Sequence, residues 1–293
     1  MPDKSFLASA AEPVIRLTDG KRKFVDRDAC TAYISSMAKQ SCHLPGFFSG
    51  RIFQKQLDGC VYYEIPSDGS DERILYLHGG SYFAPPNFLH WDMLVRIAEQ
   101  TKAQILIPMY PRAPIHTVSS AYSFLNTFYE NILDDKKISF MGDSAGGGLA
   151  LGFALELAEK GKPLPQRMVL LSPWIDVSME NAEMTEYEDS DPMLGIYGLA
   201  RMGKIWAGNV DLHDPKVSPI YGELSLLSGI DITVFAGTHE IFYPEALRLE
   251  KRLKESGADC RLIVGEGMNH VWVSYPMREG REAIEQISEL FKK

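Results

Sequence analysis

The sequence predicts an α/β fold, with a mostly parallel central sheet and helices on both of its faces. Three observations carry this. Short apolar runs recur from Arg73 onward, amphipathic stretches of helical length separate them, and no repeat or low-complexity linker interrupts the alternation. Strands buried on both faces read as near-continuous apolar runs, and the crossover helices between them supply two covering layers. At 293 residues the chain is long enough for one large domain or two smaller ones, with a substantial core in either case.

Residues 1 to about 45 read as short helical pieces, the clearest running from Asp26 to Met37. Alternation from Arg51 to Ile65 predicts two paired strands around a turn at Asp58-Gly59. Strands are then expected at Arg73–Leu77, Gln104–Pro108, Ile138–Met141, Arg167–Ser172, Ile232–Ala236 and Arg261–Val264. Helical periodicity fills 88–101, 117–133, 145–160, 244–256 and 277–292. From about Ser178 to Asp214 the rhythm breaks. An acidic run (Glu180, Glu183, Glu186, Glu188, Asp189, Asp191) leads into a helical stretch with Met202, Ile205 and Trp206. This segment reads either as a solvated insertion or as a cap over a substrate site.

A formal charge of −9 with no basic cluster disfavours nucleic acid or an anionic membrane as partner. Hydrophobic residues at 45% and charged residues at 24% argue against disorder. The N-terminus lacks the apolar core of a signal peptide, and no apolar run approaches the roughly 18 residues of a membrane span. Cys30, Cys42, Cys60 and Cys260 are scattered without a C-x-x-C pair, as in proteins of a reducing interior. The expectation is a cytoplasmic protein, with a homodimer left open.

Gly142-Asp-Ser-Ala-Gly146 lies between a predicted strand and a predicted helix. A G-x-S-x-G turn there holds a serine in strained backbone and needs neighbours without bulky side chains. It also aims the helix N-terminus and the Ala145 N–H at a developing oxyanion. Ser144 is thus the candidate nucleophile of a serine hydrolase. Upstream, His78-Gly79-Gly80-Ser81 ends another strand. Glycines at that position let backbone N–H groups approach a reacting carbonyl, although a simple turn is the competing reading. His78 is expected to orient this loop rather than to move protons.

The base should follow a late strand, with the acid before it. His270 fits, on the stretch Gly265-Glu-Gly-Met-Asn that leaves the last strand. Glu240 follows the strand before it and would hold His270 through Nδ1–H; its neighbour His239 should point away. Phe83, Trp174, Trp206, Ile241, Phe242 and Val271 adjoin these loops. They are candidates to line an apolar pocket, and ordinary core is the competing reading. No phosphate-loop, dinucleotide or H-E-x-x-H pattern appears, so neither cofactor nor metal is expected.

These motifs together resemble the hormone-sensitive-lipase family of α/β-hydrolases, which includes many bacterial carboxylesterases. The resemblance also rests on Met109-Tyr-Pro-Arg-Ala-Pro114, Leu171-Ser-Pro-Trp-Ile-Asp176, Asp191-Pro192, Asp214-Pro-Lys-Val-Ser-Pro219 and Gly267-Met-Asn-His270, and covers roughly residues 50 to 290. It implies an α/β-hydrolase fold with a helical cap. The division would be an N-terminal cap segment (1–50), a first part of the core (51–177), a cap insertion (178–213) and a second part of the core (214–293). It implies hydrolysis of short-chain carboxylic esters without metal or organic cofactor. The triad carries over to Ser144, Glu240 and His270, and the oxyanion donors to the N–H groups of Gly79, Gly80 and Ala145. Ser81 stands where the family usually has a third glycine, which would restrict bulky alcohols or add a hydroxyl to the oxyanion hole. Glu240 stands where aspartate is commoner.

The same triad would serve an amidase or peptidase, and nothing in the sequence separates the two. A non-catalytic binding protein on a hydrolase scaffold is a third class, disfavoured because all three triad candidates are present. The need for a neutral imidazole places the expected acid limb of activity near pH 6–7.

Overall fold

The computed structural model describes residues 4–134 and 137–291. Residues 1–3 of the expected N-terminal segment and residue 292 of the expected last helix lie outside these described residues. The helices are α1 (Phe6–Leu17), α2 (Arg22–Val25), α3 (Arg27–Met37), α4 (Phe88–Thr101), α5 (Val118–Ile132), α6 (Ala145–Glu159), α7 (Ile196–Ala207), α8 (Tyr243–Glu255) and α9 (Arg278–Leu290). The strands are β1 (Phe53–Leu57), β2 (Cys60–Ile65), β3 (Glu72–Leu77), β4 (Gln104–Pro108), β5 (Lys137–Asp143), β6 (Arg167–Leu171), β7 (Asp231–His239) and β8 (Asp259–Asn269).

The strands form one sheet in the order β1-β2-β4-β3-β5-β6-β7-β8. The β1–β2 and β2–β4 pairs are antiparallel and the others parallel. The expected hairpin at Asp58-Gly59 is therefore the antiparallel edge of an otherwise parallel sheet. One apolar layer joins the sheet to α5, α6 and α8, and the other joins it to α4 and α9. Helix α6 is buried almost all round, as a helix must be when it is apolar on every face. Apolar positions of α4 such as Trp91, Leu94, Val95 and Ala98 form a stripe at helical spacing and are buried against the other face.

The last two strands run further than their apolar cores suggest. β7 and β8 stay paired from Asp231↔Asp259 to His239↔Asn269, with one irregularity between Gly237 and His239. The stretch 265–269, expected as a loop, is thus strand. Its glycine content suggests loop, but glycine is needed there for close approach. A methyl group on Gly237 would overlap the Met268 carbonyl oxygen, and one on Gly265 would press on the Trp272 ring.

The stretch from about Ser178 to Asp214 meets the N-terminal helices. Helix α7 packs against α2 and α3, and the backbones of α2 and α7 come close enough that a Cβ on Gly198 would lie 2.5 Å from Phe24 Cα. The acidic side chains Glu180, Glu183, Glu186 and Asp189 face solvent, whereas Asp191 is fully buried.

Candidate active site

Ser144 sits between the end of β5 and the start of α6, with φ 52° and ψ −124°. That left-handed conformation is unusual for a residue with a side chain. The surrounding structure fixes it: Ser144 N–H donates to Leu171 O at 2.8 Å, and its carbonyl accepts from Trp174 N–H at 2.9 Å. The glycines on either side are sterically required. A Cβ on Gly142 would lie 2.5 Å from Gly146 O, and one on Gly146 would overlap the Leu77 carbonyl. The turn, the strand end of β3 and the helix start therefore pack backbone on backbone.

Glu240 and His270 are the residues immediately after the paired ends of β7 and β8. His270 Nδ1 is 2.5 Å from Glu240 Oε2. The other carboxylate oxygen, Oε1, accepts from Gly237 N–H at 2.7 Å and from the Ser172 hydroxyl at 2.9 Å. Both oxygens are thus satisfied although Glu240 is fully buried, the condition a buried carboxylate must meet. Ser172 Oγ also accepts from Val271 N–H at 3.0 Å, so one hydroxyl ties the acid turn to the histidine turn. Burial lowers the His270 pKa, but the Glu240 hydrogen bond and charge, with the nearby Asp191 and Asp143 carboxylates, raise it by more; the net position is above the ordinary 6.5.

Ser144, His270, Gly80 and Ser81 line one cavity of about 260 Å³. Its outer wall comes from both covering segments: Ile15, Lys23 and Phe24 from the N-terminal helices, and Pro192, Met193 and Leu194 from the 178–213 segment. Val271 also lines it.

Two expectations are corrected. The Gly79 N–H is not directed at the cavity, because it donates to Asp143 Oδ1 at 2.7 Å. Gly80, at φ 116°, and Ser81, at φ 56°, turn the loop so that their own residues reach the cavity instead. Phe83, Trp174, Trp206, Ile241 and Phe242 are at most 1% exposed and do not line the cavity. They belong to the apolar core on one face of the sheet. Tyr82 stacks on Trp206 of α7 with ring centroids 4.1 Å apart, and Trp174 stacks on Phe242 at 6.0 Å. Phe242 meets the His270 ring edge-on at 5.3 Å. Adjacency in sequence to a catalytic loop puts a large apolar residue into the core as readily as into a pocket.

Asp143, Ser172 and Asp191 carry no role in the sequence reading, yet each holds a loop of the site. Asp143 accepts from the Tyr76 hydroxyl and the Gly79 N–H, and His90 Nε2 lies 3.2 Å from its Oδ2. Burial raises its pKa, but His90 and the two donors bring it down to about 2. Asp143 therefore stays ionised and pins the Gly79–Gly80 loop to the serine turn. Asp191 accepts from Met193 N–H at 2.7 Å, Leu194 N–H at 2.9 Å and Ile241 N–H at 3.0 Å, which fastens the covering segment to the residue after Glu240. Its burial raises its pKa, against the lowering influence of His270 and these N–H groups. The position of Asp143 inside the serine motif was the one available signal for its role.

His78 behaves as expected of an orienting residue. It is fully buried, its Nδ1 lies 2.7 Å from Gly79 O, and its ring stacks on Tyr110. Burial pushes its pKa down to about 3, so it is neutral. His239 points away from the site, with Nδ1 2.9 Å from Glu12 Oε2. Among the described residues no cluster of histidine, cysteine and carboxylate side chains has the makings of a metal site, and no helix is long and apolar enough to cross a membrane.

Known proteins are similar to this one over most of the chain. A sequence profile of the alpha/beta hydrolase fold matches residues 74–274. A triacylglycerol lipase of Mycobacterium tuberculosis is 32% identical over 74% of this chain and 46% of its own length. An acetyl-hydrolase of Streptomyces hygroscopicus is 30% identical over 75% of each chain. The match thus spans about half of the mycobacterial protein and three quarters of the streptomycete one. Among solved structures, an esterase from the bacterial hormone-sensitive lipase family superposes with a TM-score of 0.80 at 27% identity, covering 99% of this chain and 98% of that one. With its sheet order, serine turn and covering helices, the chain belongs to the α/β-hydrolase family, in its bacterial hormone-sensitive-lipase group.

Proposed function

We propose that this protein is a serine carboxylesterase that cleaves short-chain esters through an acyl-enzyme formed on Ser144. The observation that carries the reading is the buried Glu240–His270 contact at 2.5 Å on the rim of the cavity that holds the strained Ser144. Carboxylic ester hydrolysis is supported by the acetyl-hydrolase and the hormone-sensitive-lipase-family esterase to which the chain is similar. In the cycle, His270 Nε2 takes the Ser144 proton as Oγ attacks the ester carbonyl. Glu240 keeps the remaining ring proton on Nδ1 and stabilises the imidazolium. The N–H groups of Gly80, Ser81 and Ala145 receive the oxyanion, Ser81 taking the place first expected for Gly79. His270 then protonates the leaving alcohol, and water activated by the same nitrogen releases the acid.

A cavity of about 260 Å³ is below the usual range for drug-sized ligands, which favours small acyl groups. The test is Ser144→Ala with a panel of 4-nitrophenyl esters from acetate to decanoate. Wild-type activity is expected to peak at short chains and to be abolished by the substitution; activity that persists in Ser144→Ala overturns the reading.

A further inference from the structure

One wall of the cavity is built by the N-terminal helices, and that wall carries a cation. Lys23 lines the cavity beside Phe24 and Tyr33. Its Nζ lies 4.6 Å from the Tyr33 ring centroid and 5.2 Å from that of Phe24. The neighbouring basic residues are already engaged. Lys21 donates to Asp191 O at 2.8 Å and to Glu188 O, and Arg22 pairs with Asp19 at 3.8 Å. Among the described residues Lys23 has no carboxylate within pairing distance.

The other charged or titratable groups on this cavity are Asp143, His90, His270 and Tyr275. The Asp143 carboxylate is taken up by Tyr76, Gly79 and His90. The rest of the wall near the cap is apolar: Ile15, Leu89, Pro192, Met193 and Leu194. Lysines are usually found with the ammonium in water or against a carboxylate. Lys23 is instead held over two aromatic faces, and burial lowers its pKa. Such an ammonium lacks a counter-charge, and a ligand entering the cavity is positioned to supply one.

We propose that Lys23 binds a carboxylate carried by the substrate, and that the preferred esters are monoesters of dicarboxylic acids, whose acyl arm ends in that carboxylate. The proposal rests on the esterase reading above. The reacting carbonyl sits at Ser144, the methylenes of the arm lie along the apolar wall, and the free carboxylate meets Lys23. Hydrolysis adds the water oxygen to the acyl carbon, breaks the ester C–O bond and releases a dicarboxylate and an alcohol. The chain has a net charge of −9 and repels anions at long range, so the discrimination resides in the bound complex and not in steering.

The test compares 4-nitrophenyl hydrogen glutarate with 4-nitrophenyl hexanoate, a neutral ester of similar length, on the full chain. Wild type is expected to favour the acidic ester in kcat/KM, with a preference that falls as NaCl rises. Lys23→Met is expected to lower the acidic-to-neutral ratio by roughly tenfold or more, mainly through KM, the scale of one desolvated charge contact; Lys23→Arg is expected to retain most of it. A ratio changed less than about threefold in folded Lys23→Met overturns the proposal. A second arm does not depend on that variant folding. In Ser144→Ala, which keeps Lys23, calorimetry is expected to find the acidic ester bound more tightly than the hexanoate and weakened by 0.5 M NaCl on the order expected for one screened charge pair; equal, salt-independent binding overturns the proposal. Absence of Ser144-dependent turnover of either ester is the separate failure of the esterase reading, and the calorimetric arm still decides the role of Lys23.

Discussion

Replacing Glu240 by glutamine tests the proposed triad at a single atom. Glu240 Oε1 is held by two donors, Gly237 N–H at 2.7 Å and Ser172 O–H at 2.9 Å, which leaves Oε2 to face His270 Nδ1 at 2.5 Å. In Glu240→Gln those donors select the amide oxygen for the Oε1 position, so the amide nitrogen must face the imidazole. As a donor it forces Nδ1 to accept, and the ring proton moves to Nε2, the atom that has to take the serine proton. Keeping the active tautomer would instead set two N–H groups against each other in a buried site, at about 1–3 kcal/mol. The imidazolium of the transition state also loses its counter-charge. The two costs together are expected to reach about 5 kcal/mol, or about 10⁴ in kcat, the size characteristic of the same change in a serine-protease triad. The assay is steady-state hydrolysis of 4-nitrophenyl butyrate, with circular dichroism to verify folding. A folded Glu240→Gln enzyme within about tenfold of wild type would refute the assignment of Glu240.

Three further outcomes follow from the geometry. The His270 pKa is raised above 6.5 and catalysis needs the neutral ring, so kcat/KM is expected to fall as pH drops through a value above 6.5; a profile flat down to pH 5 contradicts His270 as base. Gly146→Ala places a methyl group against the Leu77 carbonyl, backbone that has no rotamer to adjust, and is expected to cost about 3 kcal/mol or more in chemical denaturation. Asp143→Leu removes the acceptor of the Gly79 N–H and the Tyr76 hydroxyl. With the oxyanion loop unpinned, kcat is expected to fall by about 10² or more while KM changes less; a drop confined to KM would argue against that role.

Much of the architecture was legible because the physics that sets it is local. The sheet strands from Arg73 to Leu171 are apolar on both faces and end at turns with glycine or proline, and β3 to β6 lie close to their expected spans. Ser144, Glu240 and His270 could be proposed from the sequence because each sits just past a strand end, a position sequence can read. The failures share a different cause. Extending β8 to Asn269 depends on glycines that admit the partner backbone, and such a stretch looks like loop in one dimension. The Gly79 N–H points at Asp143 rather than at the cavity because of a contact 64 residues away in sequence. The aromatic residues beside the catalytic loops carry no mark of which side they face, and stacking of Tyr82 on Trp206 decided it. Ser172 is one small side chain in a motif, and only the fold brings it to both Glu240 and Val271.

The paired run of β7 and β8 has a consequence for how this chain can be rearranged. The last pair in the run is His239↔Asn269, and Glu240 and His270 are the next residue on each strand. The separation of Glu240 and His270 is therefore set by the spacing of neighbouring strands, about 4.8 Å, and not by the 29 residues between them in the chain. Those residues turn at Gly257, which is exposed, has φ +82° and has open space where a side chain would be. New termini or an inserted domain at that turn would leave the register of Glu240 and His270 intact, because the sheet and not the connection measures it.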